Sequence, residues 1–176
     1  MQPEDISAVM SRPVYQPVVK NSRAARHLFI VQAQMTEELA LAFESCREEQ
    51  RSLLTLADQA EVETRLNGQI SELPLSSMVY VAGDEAYLWG VFEYLRSAGM
   101  LAEQIRLSQP VVSARQIFCC HCYSITGGVT RSPAVCVGCQ RHLAVTDHFA
   151  RKHGAYFAYQ ANAEDPQDLP EQMELS

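Results

Sequence analysis

The sequence contains no long hydrophobic run. Nowhere does it approach the roughly 18 consecutive apolar residues that a membrane-spanning helix needs. Residues 1–5 are polar and acidic, and they lack the basic block followed by an apolar block that marks a secretion signal. These absences predict a cytoplasmic chain that does not enter a membrane.

Positive charge is also scarce. The 176 residues include 14 Lys and Arg against 21 Asp and Glu, which gives a formal net charge of −7 at pH 7. An excess of carboxylates opposes binding to phosphate backbones and anionic lipids, so we expect no general affinity for nucleic acid or membranes. The chain does contain enough apolar residues, 47%, to build at least one core.

Strands and helices alternate through the first two thirds of the chain. Residues 1–24 contain Pro13 and Pro17 and little periodicity, which predicts an extended N-terminal arm. Within residues 25–112, predicted helices begin near Thr36, Glu61 and Asp84, and they alternate with short apolar runs typical of buried strands at 27–31, 52–56, 78–81 and 105–107. This alternation predicts an α/β domain in which helices flank a small parallel sheet.

The last third of the chain has a different character. We predict a separate module over residues 113–160. Its segment 118–146 holds two cysteine pairs and few large apolar side chains, so the module needs a staple in order to fold. Residues 161–176 carry five carboxylates and two prolines, which predicts an acidic extended tail.

Cysteines are concentrated in that module. Cys46 stands alone in a helical pattern, whereas the other five lie between Cys119 and Cys139. A secreted scaffold would spread its cysteines to staple distant segments, but close C-x-x-C pairs indicate metal binding. We therefore predict a zinc ribbon in which a structural Zn²⁺ is bound by four thiolates, those of Cys119, Cys122, Cys136 and Cys139.

The spacing within each pair suits one metal ion. Two residues between ligands let one tight turn aim both sulfurs at the same point, and we expect Gly138 to supply the conformational freedom of the second turn. Four thiolates leave no open position for substrate, so the ion would hold the fold together without catalysing a reaction. The same four sulfurs suit a single redox iron, and a disulfide or unliganded set also stays open. His121 could replace one cysteine, with Cys120 a free thiol.

Histidines and aromatic residues follow the cysteines. His142, His148 and His153 lie close in sequence to several cations, which indicates either a solvated basic face or a docking surface. The aromatic side chains of 156–159 either cover the ribbon or form an interface patch, since aromatic residues concentrate at binding hot spots.

One stretch resembles a known nucleotide-binding unit. The run 81–84, the helix over 84–98 and the segments 98–100 and 103–107 resemble the last unit of the nucleotide domain of ferredoxin-reductase-like flavoproteins. That family reads Cys-Gly-Pro where this chain has Ala82, Gly83 and Asp84. The reductases also place a glycine-rich loop after their first strand, whereas residues 32–36 contain no glycine and precede two glutamates. The resemblance implies a degenerate reductase domain without bound nucleotide.

A second stretch resembles an oxygenase subunit. Residues 118–122, 136–139, 143–151, 163–166 and 169–170 resemble the C-terminal region of the small accessory subunit of bacterial dimethylamine monooxygenase. The resemblance implies a complex that oxidises dimethylamine to methylamine and formaldehyde with NADPH and O₂. It further implies partner subunits that hold the other cofactors: haem in the catalytic subunit, and FMN and a [2Fe–2S] cluster in the reductase subunit.

Four hypotheses follow from these observations. The leading one is a non-catalytic assembly subunit of that monooxygenase, with catalysis in partner subunits. The alternatives are an electron-transfer component with a Cys₄ iron centre, a nicotinamide-binding reductase component, and a nucleic-acid-binding zinc ribbon. We expect no catalytic residue and no organic cofactor in this chain.

Overall fold

The computed structural model describes residues 12–175, and the chain divides into two units. One unit comprises Tyr15–Val112. The other comprises residues 113–175, together with residues 12–14 from the start of the described chain. Among residues 12–175 there is no helix with the length and apolar character needed to cross a membrane.

The first unit is built on a four-stranded sheet. Its strands are β1 (Arg26–Val31), β2 (Arg51–Thr55), β3 (Ser77–Ala82) and β4 (Ile105–Leu107). They lie in the order β2-β1-β3-β4, and every neighbouring pair is parallel. The predicted mixed α/β fold with a small parallel sheet is therefore confirmed.

Four helices connect the strands: α1 (Glu37–Glu44), α2 (Gln59–Leu66), α3 (Gln69–Glu72) and α4 (Glu85–Ser97). The Thr36 hydroxyl accepts a hydrogen bond from the Leu39 amide and begins α1, while Asp84 caps α4 in the same way. The left-handed backbone at Gly99, with φ of 97°, follows the end of α4. The helix starts predicted at Thr36 and Asp84 are thus confirmed.

Helices cover both faces of this sheet because strand side chains alternate between the faces. One face packs against α1 around the stacked rings of Phe29 and Tyr80, whose centroids are 4.6 Å apart. The other face packs against α2, α3 and α4 around Ile30 and Leu88. Val18, from the predicted N-terminal arm, is buried in the α1-side core.

The predicted arm is therefore only partly described. Residues 1–11 lie outside the described residues. From residue 13 to 24 the backbone forms neither helix nor strand, yet the Val18 amide donates to Glu38 Oε1 at 2.6 Å and the Asn21 amide donates to the Tyr80 hydroxyl at 3.1 Å. These contacts attach residues 15–24 to the first unit, where the same residues help to cover the sheet.

The second unit is almost entirely β-structure. It contains β5 (Arg115–Cys119), β6 (Ile125–Val129), β7 (Arg131–Ser132), β8 (Ala134–Val135), β9 (His142–Ala150), β10 (Ala155–Gln160) and β11 (Met173–Glu174). Five of these strands form a sheet in the order β6-β5-β10-β9-β8, in which only β5 and β10 run parallel. The acidic tail returns to this unit, because β11 pairs with β7 and Glu174 forms a 2.6 Å ion pair with Arg131.

Candidate metal centre

The first cysteine pair lies in the turn that joins β5 to β6. The Tyr123 amide donates to the Cys119 carbonyl at 2.9 Å, and the Cys119 amide donates to the Ser124 carbonyl at 3.0 Å. Tyr123 has φ of 63°, which reverses the chain directly after Cys122. A non-glycine residue in this region costs on the order of 1 kcal/mol and therefore marks a position with a constraint.

The second pair repeats this geometry in the turn between β8 and β9. The Gln140 amide donates to the Cys136 carbonyl at 3.0 Å, and the Cys136 amide donates to the Arg141 carbonyl at 2.9 Å. Gln140 has φ of 60°, so it occupies the position equivalent to Tyr123. The two C-x-x-C segments form matching turns even though their remaining sequences differ.

The two turns bring four sulfurs together. All four Sγ atoms, from Cys119, Cys122, Cys136 and Cys139, lie within 4.8 Å of one another. The Cys119–Cys139 sulfurs are 3.8 Å apart and the Cys122–Cys136 sulfurs 3.5 Å apart. Both distances far exceed a disulfide bond of about 2.05 Å, and all six cysteines of the chain are free thiols.

These distances fit a tetrahedral metal ion. Four sulfurs placed about 2.3 Å from a central zinc ion form a tetrahedron with edges of about 3.8 Å. Cys119 and Cys136 are fully buried and the other two thiols half-buried, which limits access of water to the centre of the cluster. The cluster could therefore hold a metal ion with thiolate ligands alone.

Backbone and hydroxyl donors around the sulfurs favour negative charge. The Ser124 hydroxyl and amide bond to Cys122 and lower the pKa of its thiol to about 6. For Cys136, burial raises the pKa, but the amides of Cys139 and Gly138 outweigh it and leave the pKa below its usual value. These donors suit sulfurs that lose their protons when a cation binds.

Cys139 has the opposite tendency. The Arg141 amide lowers the pKa of this thiol, but burial and the neighbouring sulfurs raise it to about 11. A cluster of four anionic sulfurs repels itself, so one thiol keeps its proton unless a cation compensates the charge. A divalent ion would supply that compensation.

Gly138 is required for a reason other than the one predicted. Its φ is not positive, so the second turn does not use its conformational freedom. Instead, a Cβ at this position would lie 2.8 Å from Ser124 Cβ and 3.1 Å from Cys122 Sγ, and it would overlap the Ser124 hydroxyl. Glycine therefore lets the second turn approach the first closely, and Gln140 supplies the left-handed backbone.

The other sulfur and nitrogen candidates lie outside the cluster. Cys120 and His121 are exposed between the first two ligands, and neither belongs to the set of converging atoms. Cys46 is buried in the α1-side core of the other unit, where its thiol bonds to the Ala42 carbonyl at 3.3 Å.

The parallel sheet has its own candidate site at its carboxyl edge. The chain leaves β1 toward α1 and leaves β3 toward α4, on opposite faces, which creates the crevice where such sheets commonly bind ligands. A cavity of about 320 Å³ lies there. Its lining contains no charged side chain and consists of Gln32, Ala33, Gln34, Met35, Thr36, Gly83 and Val111.

The Gln32 side chain forms hydrogen bonds with both polar groups that Asp84 presents at this crevice. Its Oε1 accepts from the Asp84 amide at 2.9 Å, and its Nε2 donates to Asp84 Oδ2 at 3.0 Å. The amide at the start of α4 that could bind a phosphate is thus already satisfied, and Thr36 does the same at the start of α1. The sequence alone showed that residues 32–36 contain no glycine. It did not show that the Gln32 side chain bonds to the Asp84 amide.

Two comparisons with known proteins found similar sequences, and one of them covers the segment that bears the cysteines. Residues 116–159 match the family described as "Dimethylamine monooxygenase subunit DmmA-like, C-terminal domain". The chain is also 28% identical over 146 residues to the heme-dependent oxidative N-demethylase delta subunit of Ectopseudomonas mendocina (strain ymp), which covers 81% of this chain and 83% of that relative. No solved structure matches significantly. The chain is therefore similar, over its cysteine cluster and most of its length, to subunits of oxidative N-demethylase complexes.

Proposed function

We propose that this chain is a non-catalytic assembly subunit of a multi-subunit dimethylamine monooxygenase, and that a structural Zn²⁺ holds its second unit together. The converging thiols carry the proposal, because all four lie within residues 116–159, the segment that matches the subunit family. The relative with 28% identity bears the name of a subunit of a heme-dependent oxidative N-demethylase, which supports the same kind of complex.

The ligand set supports a structural role for the metal. Zinc bound by four thiolates has no position left for water or substrate, so it contributes to folding and not to a reaction. The second unit also lacks an α-helix within its described residues. A metal ion bound by all four thiols would join the β5–β6 turn to the β8–β9 turn.

The crevice of the parallel sheet is poorly suited to binding a nucleotide, which supports a non-catalytic role for this chain. Gln32 and Asp84 satisfy each other where a dinucleotide would need free amides, and the cavity lining offers no cation for its phosphates. We propose that this unit is a degenerate reductase-type domain. NADPH, FMN, the [2Fe–2S] cluster and haem would then bind to the partner subunits.

Reconstitution tests the proposal. The chain is purified alone and together with the haem-dependent subunit and the flavin/iron–sulfur reductase subunit, and formaldehyde release from dimethylamine is measured with NADPH and O₂. We expect no turnover by the isolated chain and a large loss of turnover when it is omitted. Turnover by the isolated chain, or an intact and fully active complex without it, would refute an assembly role.

Metal analysis separates the leading proposal from the electron-transfer alternative. Four sulfurs in a tetrahedron suit iron as well as zinc, and an iron centre could carry electrons between the reductase and the haem. We expect about one zinc ion per chain and no absorption in the visible range. A charge-transfer band with stoichiometric iron would favour the electron carrier instead.

A further inference from the structure

The five-stranded sheet of the second unit has two different faces. Along β5 and β10 the burial alternates, and Ile117, Cys119, Tyr156 and Ala158 fill the buried face. The opposite face presents Phe118 and Phe157, which are direct cross-strand partners and only half-buried. The same face carries Ile125, the cross-strand partner of Phe118, which is 41% exposed, and Tyr159, two residues after Phe157 on β10, which is 57% exposed. We call this set, with His148 and His153, the aromatic face.

Imidazoles cover the phenyl rings of the aromatic face. His153 stacks on Phe118 with centroids 4.6 Å apart and ring planes 12° apart. His148 stacks on Phe157 with centroids 5.3 Å apart and ring planes 27° apart. Stacking of nucleic-acid bases needs an open ring face. Because the imidazoles occupy that position on both rings, the surface is better suited to packing against protein side chains than to stacking bases.

Two exposed cations, Arg151 and Lys152, stand at the border of this face. The other cations of residues 113–160 already have partners: Arg131 pairs with Glu174 of the acidic tail, Arg141 bonds to Gln160 Oε1, and Arg115 pairs with the segment's one carboxylate, Asp147. That carboxylate is neutralised by two ion pairs, to Arg12 at 2.6 Å and to Arg115 at 3.1 Å. Arg151 and Lys152 are exposed on the same short 3₁₀ turn that carries His153 onto Phe118.

We propose that the aromatic face is the surface by which this chain docks onto a partner subunit, and that the partner presents an apolar patch ringed by carboxylates. Aromatic residues at the centre and cations at the border are the composition of a protein interface with electrostatic steering. The inference rests on the proposed function, since it names the surface that an assembly subunit would use. It assigns docking to the β-sheet unit.

Binding of the full-length chain to each purified partner subunit tests the inference. Ile125→Ser combined with Tyr159→Ser removes exposed apolar groups, and Arg151→Glu combined with Lys152→Glu reverses the charge. We expect each pair to weaken binding to one partner at least tenfold. The charge-reversed pair should also lose most of the salt dependence of the association rate.

Two exposed positions of the other unit serve as matched controls. Leu75→Ser removes an apolar side chain that is 98% exposed, and Arg65→Glu reverses an exposed cation. We expect both to bind like the unaltered chain. An unchanged metal content and circular dichroism spectrum in every variant shows that loss of binding is not loss of fold.

The outcomes distinguish this inference from the proposed function. If the unaltered chain binds neither partner, the proposed function fails. If it binds and the variants of the aromatic face bind equally well, the function stands and the docking surface is wrong. If the unaltered chain binds single-stranded DNA at physiological salt and the charge-reversed pair does not, the face is a nucleic-acid site and the inference is refuted.

Discussion

Replacing Gly138 by alanine tests whether close approach of the two turns makes the metal centre. The added Cβ would lie 2.8 Å from Ser124 Cβ and 3.1 Å from the ligand Cys122 Sγ, and it would overlap the Ser124 hydroxyl. Forcing one extra methyl group into such a contact typically costs about 1–3 kcal/mol. We expect this cost to fall on the assembled cluster, because the clash pushes apart the two turns that carry the sulfurs. We expect zinc affinity to fall by about fivefold to about 150-fold.

The assay is competition for zinc with a chromophoric chelator. Gly127→Ala is the matched control, because a Cβ there meets no atom within 4 Å and its backbone does not need a positive φ. A second variant, Ser124→Gly in the Gly138→Ala background, removes the clashing atoms and should restore part of the affinity. Double-mutant coupling of this kind is expected for residues in direct contact.

One result would refute the reasoning. If Gly138→Ala and Gly127→Ala both bind zinc within twofold of the unaltered chain, the approach of Gly138 to Ser124 does not limit metal binding.

Three further predictions follow. A zinc chelator at neutral pH should abolish hydrogen-exchange protection in residues 113–160 but leave the helical circular dichroism signal unchanged. Every helix of at least one α-turn in the described chain lies in the other unit. Loss of both signals together would contradict this prediction. Cys136→Ser should reduce bound metal to near zero by elemental analysis, whereas Cys120→Ser, outside the cluster, should leave about one ion per chain. Burial and Lys20 lower the pKa of His27 below its ordinary 6.5, so the contribution of His27 to the free energy of unfolding should be constant above pH 6.5 and fall below it. His27→Gln should remove that slope in urea titrations, and an unchanged slope would assign it to another group.

Local features were the most predictable part of the fold. Thr36 and Asp84 cap their helices as expected because capping depends on a side chain and an amide three residues away. The alternation of strands and helices likewise indicated the parallel sheet, since parallel neighbours need a crossover connection. The C-x-x-C spacing pointed to the four thiols because each turn depends on only a few successive residues.

Contacts between distant segments were not predictable in this way. Val18 lies in a stretch without periodicity, and only the fold shows that it closes the core beside α1. Nothing in the order of residues indicates that β10 pairs in parallel with β5 while β9 lies on its other side. The role of Gly138 was assigned wrongly because its neighbour Ser124 is distant in sequence and close only in space.

The sequence by itself determined the helix caps, the alternation of elements and the identity of the four thiols, because each depends on side chains a few residues apart. Only the tertiary structure decided that Gln32 bonds to Asp84 at the crevice of the parallel sheet and that two matching turns meet at Gly138. It also decided that Phe118 and Phe157 lie side by side beneath histidines. These features depend on which strands are neighbours, and strand pairing is set by packing of the whole unit.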